Sequence, residues 1–69
     1  SGAWERLVAL YAPLAASWCR RWGVPPQDIV DVLQEVFAAV AAHLDRFRKQ
    51  EAGDTFRGWL LTITRHKVA

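Results

Sequence analysis

Apolar residues recur at Trp4, Leu7, Val8, Tyr11, Leu14, Ala15, Trp18, Cys19 and Trp22, a spacing of three and four that closes one face of an α-helix. This predicts a first helix from Trp4, ended by the GVPP stretch at 23–26. Pro13 falls inside it and predicts a kink or restart, because proline brings no N–H to the ladder and crowds the preceding turn. A second helix is expected from Pro26, with Asp28 at the positive end of its dipole. Its stripe of Ile29, Val32, Leu33, Val36, Phe37, Val40 and Leu44 is the most regular in the chain. The polar run DRFRKQEAGDT that follows contains Gly53 and reads as a basic loop about ten residues long. Such a loop is long for a small domain, which points to a functional or mobile segment. A third helix is predicted from Phe56, capped by Asp54 or Thr55, with Phe56, Trp59, Leu60 and Ile63 on its core side. Nothing alternates in strand fashion and no repeat or low-complexity tract appears. The expected fold is therefore all-α: a small three-helix domain with its first helix kinked at Pro13.

The second helix has a further face. At about 100° per residue, Asp31, Gln34, Glu35, Ala38 and Ala42 share an arc away from the apolar stripe. Asp31 and Glu35, four apart, repel by a few tenths of a kcal/mol in an isolated helix. A solvated acidic face accounts for this pattern. So does a docking strip, whose acids and amide meet basic residues of a partner helix while the alanines permit close approach.

Composition narrows the class. With 69 residues the chain forms at most one domain, and one of that size buries roughly 60% of the surface its unfolded form exposes. A content of 52% hydrophobic residues, including four Trp, against 23% charged predicts a packed core rather than disorder. The single cysteine, Cys19, has no intramolecular partner for a disulfide. No uncharged apolar run approaches the roughly 20 residues that cross a bilayer. The chain reads as soluble and cytosolic, with no signal peptide. Ser1-Gly2 reads as a remnant of tag cleavage, so the domain is expected to span 3–69. The net charge of +2 divides unevenly, −1 over residues 1–44 and +3 over 45–69. An acidic-leaning front and a basic back point to two different partners. Cys19, His43 and His66 match no metal-ligand spacing and have no acid–base partner, so neither a metal nor a catalytic site is expected. No glycine-rich phosphate loop occurs, and no cofactor is implied.

Three motifs carry a resemblance. DVLQEVF at 31–37, HLDRF at 43–47 and FRGWLLTITRHK at 56–67 together resemble region two of bacterial RNA polymerase sigma factors of the extracytoplasmic-function group. The resemblance covers nearly the whole chain, with the motifs in the family's order. It implies that the second helix binds the clamp helices of the largest subunit of core RNA polymerase through Asp31, Gln34 and Glu35, with Phe37 in the core. It also implies that the loop and third helix capture the non-template strand of the promoter's minus-ten element and hold a base out of the stack. Unstacking without fuel must be offset by pocket contacts, aromatic stacking and phosphate contacts from Arg or Lys.

The basic half carries those residue types. Arg46, Arg48 and Lys49 are candidate phosphate contacts, with ordinary solvated charge as the bland account. Lys49, Gln50, Glu51, Ala52 and Gly53 occupy the segment that selects the flipped base in the family. Phe47 reads as an aromatic anchor of the loop or as a base-stacking residue. Phe56 and Trp59, one turn apart, read as core, with Trp59 the better candidate for a stacking platform. Arg57, Thr62, Arg65, His66 and Lys67 are candidates for the non-template strand. His66 departs from the asparagine many family members carry there. Gly58 costs about 1 kcal/mol relative to Ala inside a helix, which close approach by DNA or by a neighbouring helix would explain.

The implied role is non-enzymatic, since synthesis belongs to the polymerase. The chain stops before the family's third helix is usually complete and lacks the helix-turn-helix that reads the minus-thirty-five element, so a fragment is expected. An anti-sigma factor is a further expected partner. The alternative is a helical protein-interaction module that pairs with a regulator or with itself, as a homodimer or by swapping its third helix, without touching nucleic acid.

Overall fold

The computed structural model describes residues 2–50 and 55–68, apart from the side chains of Lys49 and Gln50. Three helices follow one another: α1 over Ala3–Arg21, α2 over Pro26–Gln50 and α3 over Phe56–Val68. There is no strand among the described residues. The architecture is the expected small all-α domain. α2 is the central element, packed against both α1 and α3, which also touch each other.

Local chemistry sets the helix ends. α1 closes in a Schellman turn, in which the Gly23 N–H donates to the Arg20 carbonyl (3.1 Å) and the Val24 N–H to that of Cys19 (2.9 Å). Gly23 supplies the left-handed backbone this turn needs, at φ +85°. Pro26 opens α2 and Asp28 sits in its first turn. Thr55 caps α3, its hydroxyl accepting from the Gly58 N–H at 3.0 Å, which decides between the two candidate caps.

Pro13 lies within α1, which runs through it without a break in its assignment. The lost donor leaves the Ala9 carbonyl without its helical partner. Ala9 and Pro13 are both exposed, so water can supply that bond.

The basic loop is shorter than the sequence implied, because α2 continues through Gln50. Asp45–Gln50, read as loop, is helical. Arg, Lys and Gln are good helix formers, and Phe47 extends the stripe by one more turn after Val40 and Leu44. Residues 51–54, the rest of the expected loop, lie outside the described residues.

Ala15 and Trp18 of α1, Val36, Phe37 and Val40 of α2 and Leu60 of α3 form the central core. Thr64 is also fully buried at 0% exposure, its hydroxyl donating to the Leu60 carbonyl at 2.8 Å. That local bond satisfies the polar group, which is how a residue scored as polar in the pattern joins the core. Trp4 departs in the other direction. Read as core, it is 39% exposed, since it stands in the first turn of α1, where it meets Phe37 in an edge-to-face arrangement with ring centroids 6.4 Å apart.

Candidate functional site

Asp31, Gln34, Glu35, Ala38 and Ala42 are all exposed, while Val36, Phe37 and Val40 across the helix are buried. The acidic strip is thus a free surface on a helix whose other side is committed to the core. Neither Asp31 nor Glu35 makes an ion pair or hydrogen bond among the described residues. Beside the strip, an apolar groove between α1 and α2 is lined by Trp4, Val8, Leu33 and Phe37, with Gln34 and Ala38 contributing to both surfaces. The groove was not legible from the sequence, because its lining comes from two helices whose relative placement no single-helix period encodes.

An aromatic cluster joins the end of α2 to α3. Phe47 stacks on Trp59 with centroids 4.6 Å apart and planes 17° apart. Phe56 lies edge-on to both, at 6.1 Å from Phe47 and 5.8 Å from Trp59, and reaches Tyr11 of α1 at 4.7 Å. Phe47, Phe56 and Trp59 are all half-buried. Phe47 is therefore an anchor in this structure, and one face of Trp59 is already stacked on it. Arg46 and Arg48 are exposed on either side of Phe47, about 100° around the helix from it in each direction. They straddle the seam between α2 and α3. The side chains of Lys49 and Gln50, and all of Glu51, Ala52, Gly53 and Asp54, lie outside the described residues.

On α3, Thr62, Arg65 and His66 share one exposed arc with Gly58. Arg57 and Lys67 are also exposed, but at helical spacing they leave that arc in opposite directions near the two ends of the helix. Thr62 donates its hydroxyl to the Gly58 carbonyl at 3.2 Å, which leaves its oxygen lone pairs as acceptors. A Cβ built on Gly58 would stand 3.2 Å from the Thr55 hydroxyl. The close neighbour at this glycine is the helix's own cap. Arg65 lies over the Trp22 ring, 5.7 Å from its centroid, a contact between the last turn of α3 and the end of α1 that no sequence spacing announces.

Cys19 is fully buried. Burial pushes its thiol above the ordinary value, against a smaller opposing pull from Arg20. It therefore stays protonated at neutral pH and is a packing residue. Among the described residues no helix is long and apolar enough to cross a membrane.

A helical domain with a free acidic strip on one helix and a basic, aromatic-backed face on another is the layout expected from the three motifs. The sigma-70 region 2 family matches residues 7–69, and the chain belongs to that family. It is 35% identical over 66 residues to the RNA polymerase sigma factor CnrH of Cupriavidus metallidurans (strain ATCC 43123 / DSM 2839 / NBRC 102507 / CH34). That match covers 96% of this chain and 33% of the relative, so the chain spans about a third of the relative's length. Both matches bear out the resemblance to region two of an extracytoplasmic-function sigma factor. No solved structure matches the chain.

Proposed function

We propose that this sigma factor domain docks on core RNA polymerase through α2 and captures the melted minus-ten element of a promoter with the end of α2, the following segment and α3. The acidic strip carries the reading. Asp31, Gln34 and Glu35 are exposed together, without a partner among the described residues, on the helix that packs against both others, so a basic helix can approach without dismantling the core. Burying such charges is favourable only against opposite charge with good geometry, which the clamp helices implied by the resemblance would provide. The DNA reading is supported by exposed Arg46, Arg48 and Arg57 near an aromatic cluster and by exposed Arg65 and Lys67 further along α3, a combination of cations and aromatics that tracks a backbone and stacks bases. Thr62 and His66 add hydrogen-bonding groups on the same arc as Arg65. Lys49 and Gln50 belong to the proposed base-selecting segment. The site of action would be the cytoplasm, with the polymerase.

The deciding experiment titrates the domain against an isolated clamp-helix fragment of polymerase, comparing the natural sequence with Asp31→Ala plus Gln34→Ala. Loss of binding in a variant that stays helical by circular dichroism is the expected result. A well-folded natural domain that shows no binding at high concentration would remove the docking assignment.

A further inference from the structure

Trp22 belongs to neither surface described above, yet it holds one of their residues. It is the C-cap of α1, fixed by the Schellman turn at Gly23, and its ring lies nearly parallel to that of buried Trp18, with centroids 6.4 Å apart and planes at 19°. The guanidinium carbon of Arg65 stands 5.7 Å from the Trp22 centroid, within the range in which the ring quadrupole attracts a cation. Arg65 is exposed and makes no ion pair among the described residues. Asp28 shares a small hollow with Trp22 and Val68 but leaves the guanidinium unpaired. A guanidinium carries five N–H donors, more than one ring face can engage, so a cation held over the indole keeps donors for a further ligand.

We infer that Trp22 is a positioning residue for nucleic-acid binding: it holds the Arg65 guanidinium on the end of α1 so that its N–H edges are presented to a phosphate. A long side chain that is ordered before its ligand arrives loses less freedom on binding, and the charge-assisted bonds then formed are the strong kind. The inference rests on the reading that the exposed arc of α3 meets DNA.

The test measures binding of holoenzyme, reconstituted from core polymerase and the full sigma chain, to a labelled oligonucleotide carrying the non-template strand of a promoter it opens, across a salt series. Trp22→Leu is expected to weaken binding about three- to tenfold. Arg65→Ala should weaken it at least as much and flatten the salt slope. The double variant should bind no worse than Arg65→Ala alone, whereas a merely structural Trp22 would give additive losses. Trp22→Phe, which keeps an aromatic face, should restore most of the affinity. If Trp22→Leu does not fold, Trp22→Phe decides the matter: its remaining loss of affinity should vanish in an Arg65→Ala background, and a loss of equal size in both backgrounds overturns the positioning role. Additive losses in the double variant overturn the role of Trp22 alone. An Arg65→Ala variant with unchanged affinity and salt slope removes the phosphate contact at Arg65 as well.

Discussion

Gly58 is a residue whose presence is explained by its own helix. Its missing Cβ leaves room for the Thr55 hydroxyl, which caps α3 through the Gly58 N–H. Alanine there would gain about 1 kcal/mol of helix propensity. It would also crowd a cap worth about 1 kcal/mol. The two terms nearly cancel, so Gly58→Ala is expected to change the unfolding free energy by less than about 1 kcal/mol, measured by urea titration. In a Thr55→Gly background the cap is already gone, and the same substitution should stabilise by about 1 kcal/mol. An equal effect of Gly58→Ala in both backgrounds would mean that the cap is not what the glycine accommodates. If Gly58→Ala leaves stability alone yet abolishes DNA binding, close approach by DNA is the reason for the glycine.

The last two turns of α2 depend on one side chain at the scale of the element. Among the described side chains of 45–48, Asp45, Arg46 and Arg48 are exposed and Phe47 turns inward, onto Trp59 and Phe56. Phe47→Ala should cost roughly 1–3 kcal/mol, below the range for a fully buried aromatic. It should also raise amide hydrogen exchange across 45–50 more than across 29–40, because a helix end without tertiary contacts frays. Uniform exchange through α2 would contradict this. The same residue explains what was legible in the sequence. The existence, type and order of the three helices followed from apolar spacing, since Ile29, Val36, Phe37 and Val40 are buried where the stripe put them. The end of α2 was missed because DRFRKQ is polar in five of its six positions, and composition outweighed the one aromatic that keeps the period. The acidic strip was legible as an uncommitted face because it is a property of one helix. The Phe47–Trp59 stack and the Arg65–Trp22 contact were not, because each joins helices whose relative rotation no single-helix period encodes.

The two proposed surfaces of the whole molecule, the acidic strip of α2 on one hand and the end of α2 with α3 on the other, are held by one core. Leu60 sits in that core with Val36 and Val40 of α2 and with Ala15 and Trp18 of α1. Truncating a fully buried leucine to alanine costs roughly 2–5 kcal/mol, and in a domain of this size each kcal/mol lowers the melting temperature by about 4–8 °C. Leu60→Ala should therefore melt at least about 8 °C lower. Because only folded molecules bind, the apparent affinity for polymerase and for DNA should fall by the same factor, equal to the folded fraction. Cooling should restore both together. Asp31→Ala plus Gln34→Ala should behave oppositely, removing polymerase binding while the melting temperature and the DNA salt slope stay unchanged. Melting curves and two binding titrations at two temperatures make the comparison. If Leu60→Ala spares one partner and loses the other, then the core does more than hold the two surfaces apart, and α3 must transmit a change in shape from one to the other.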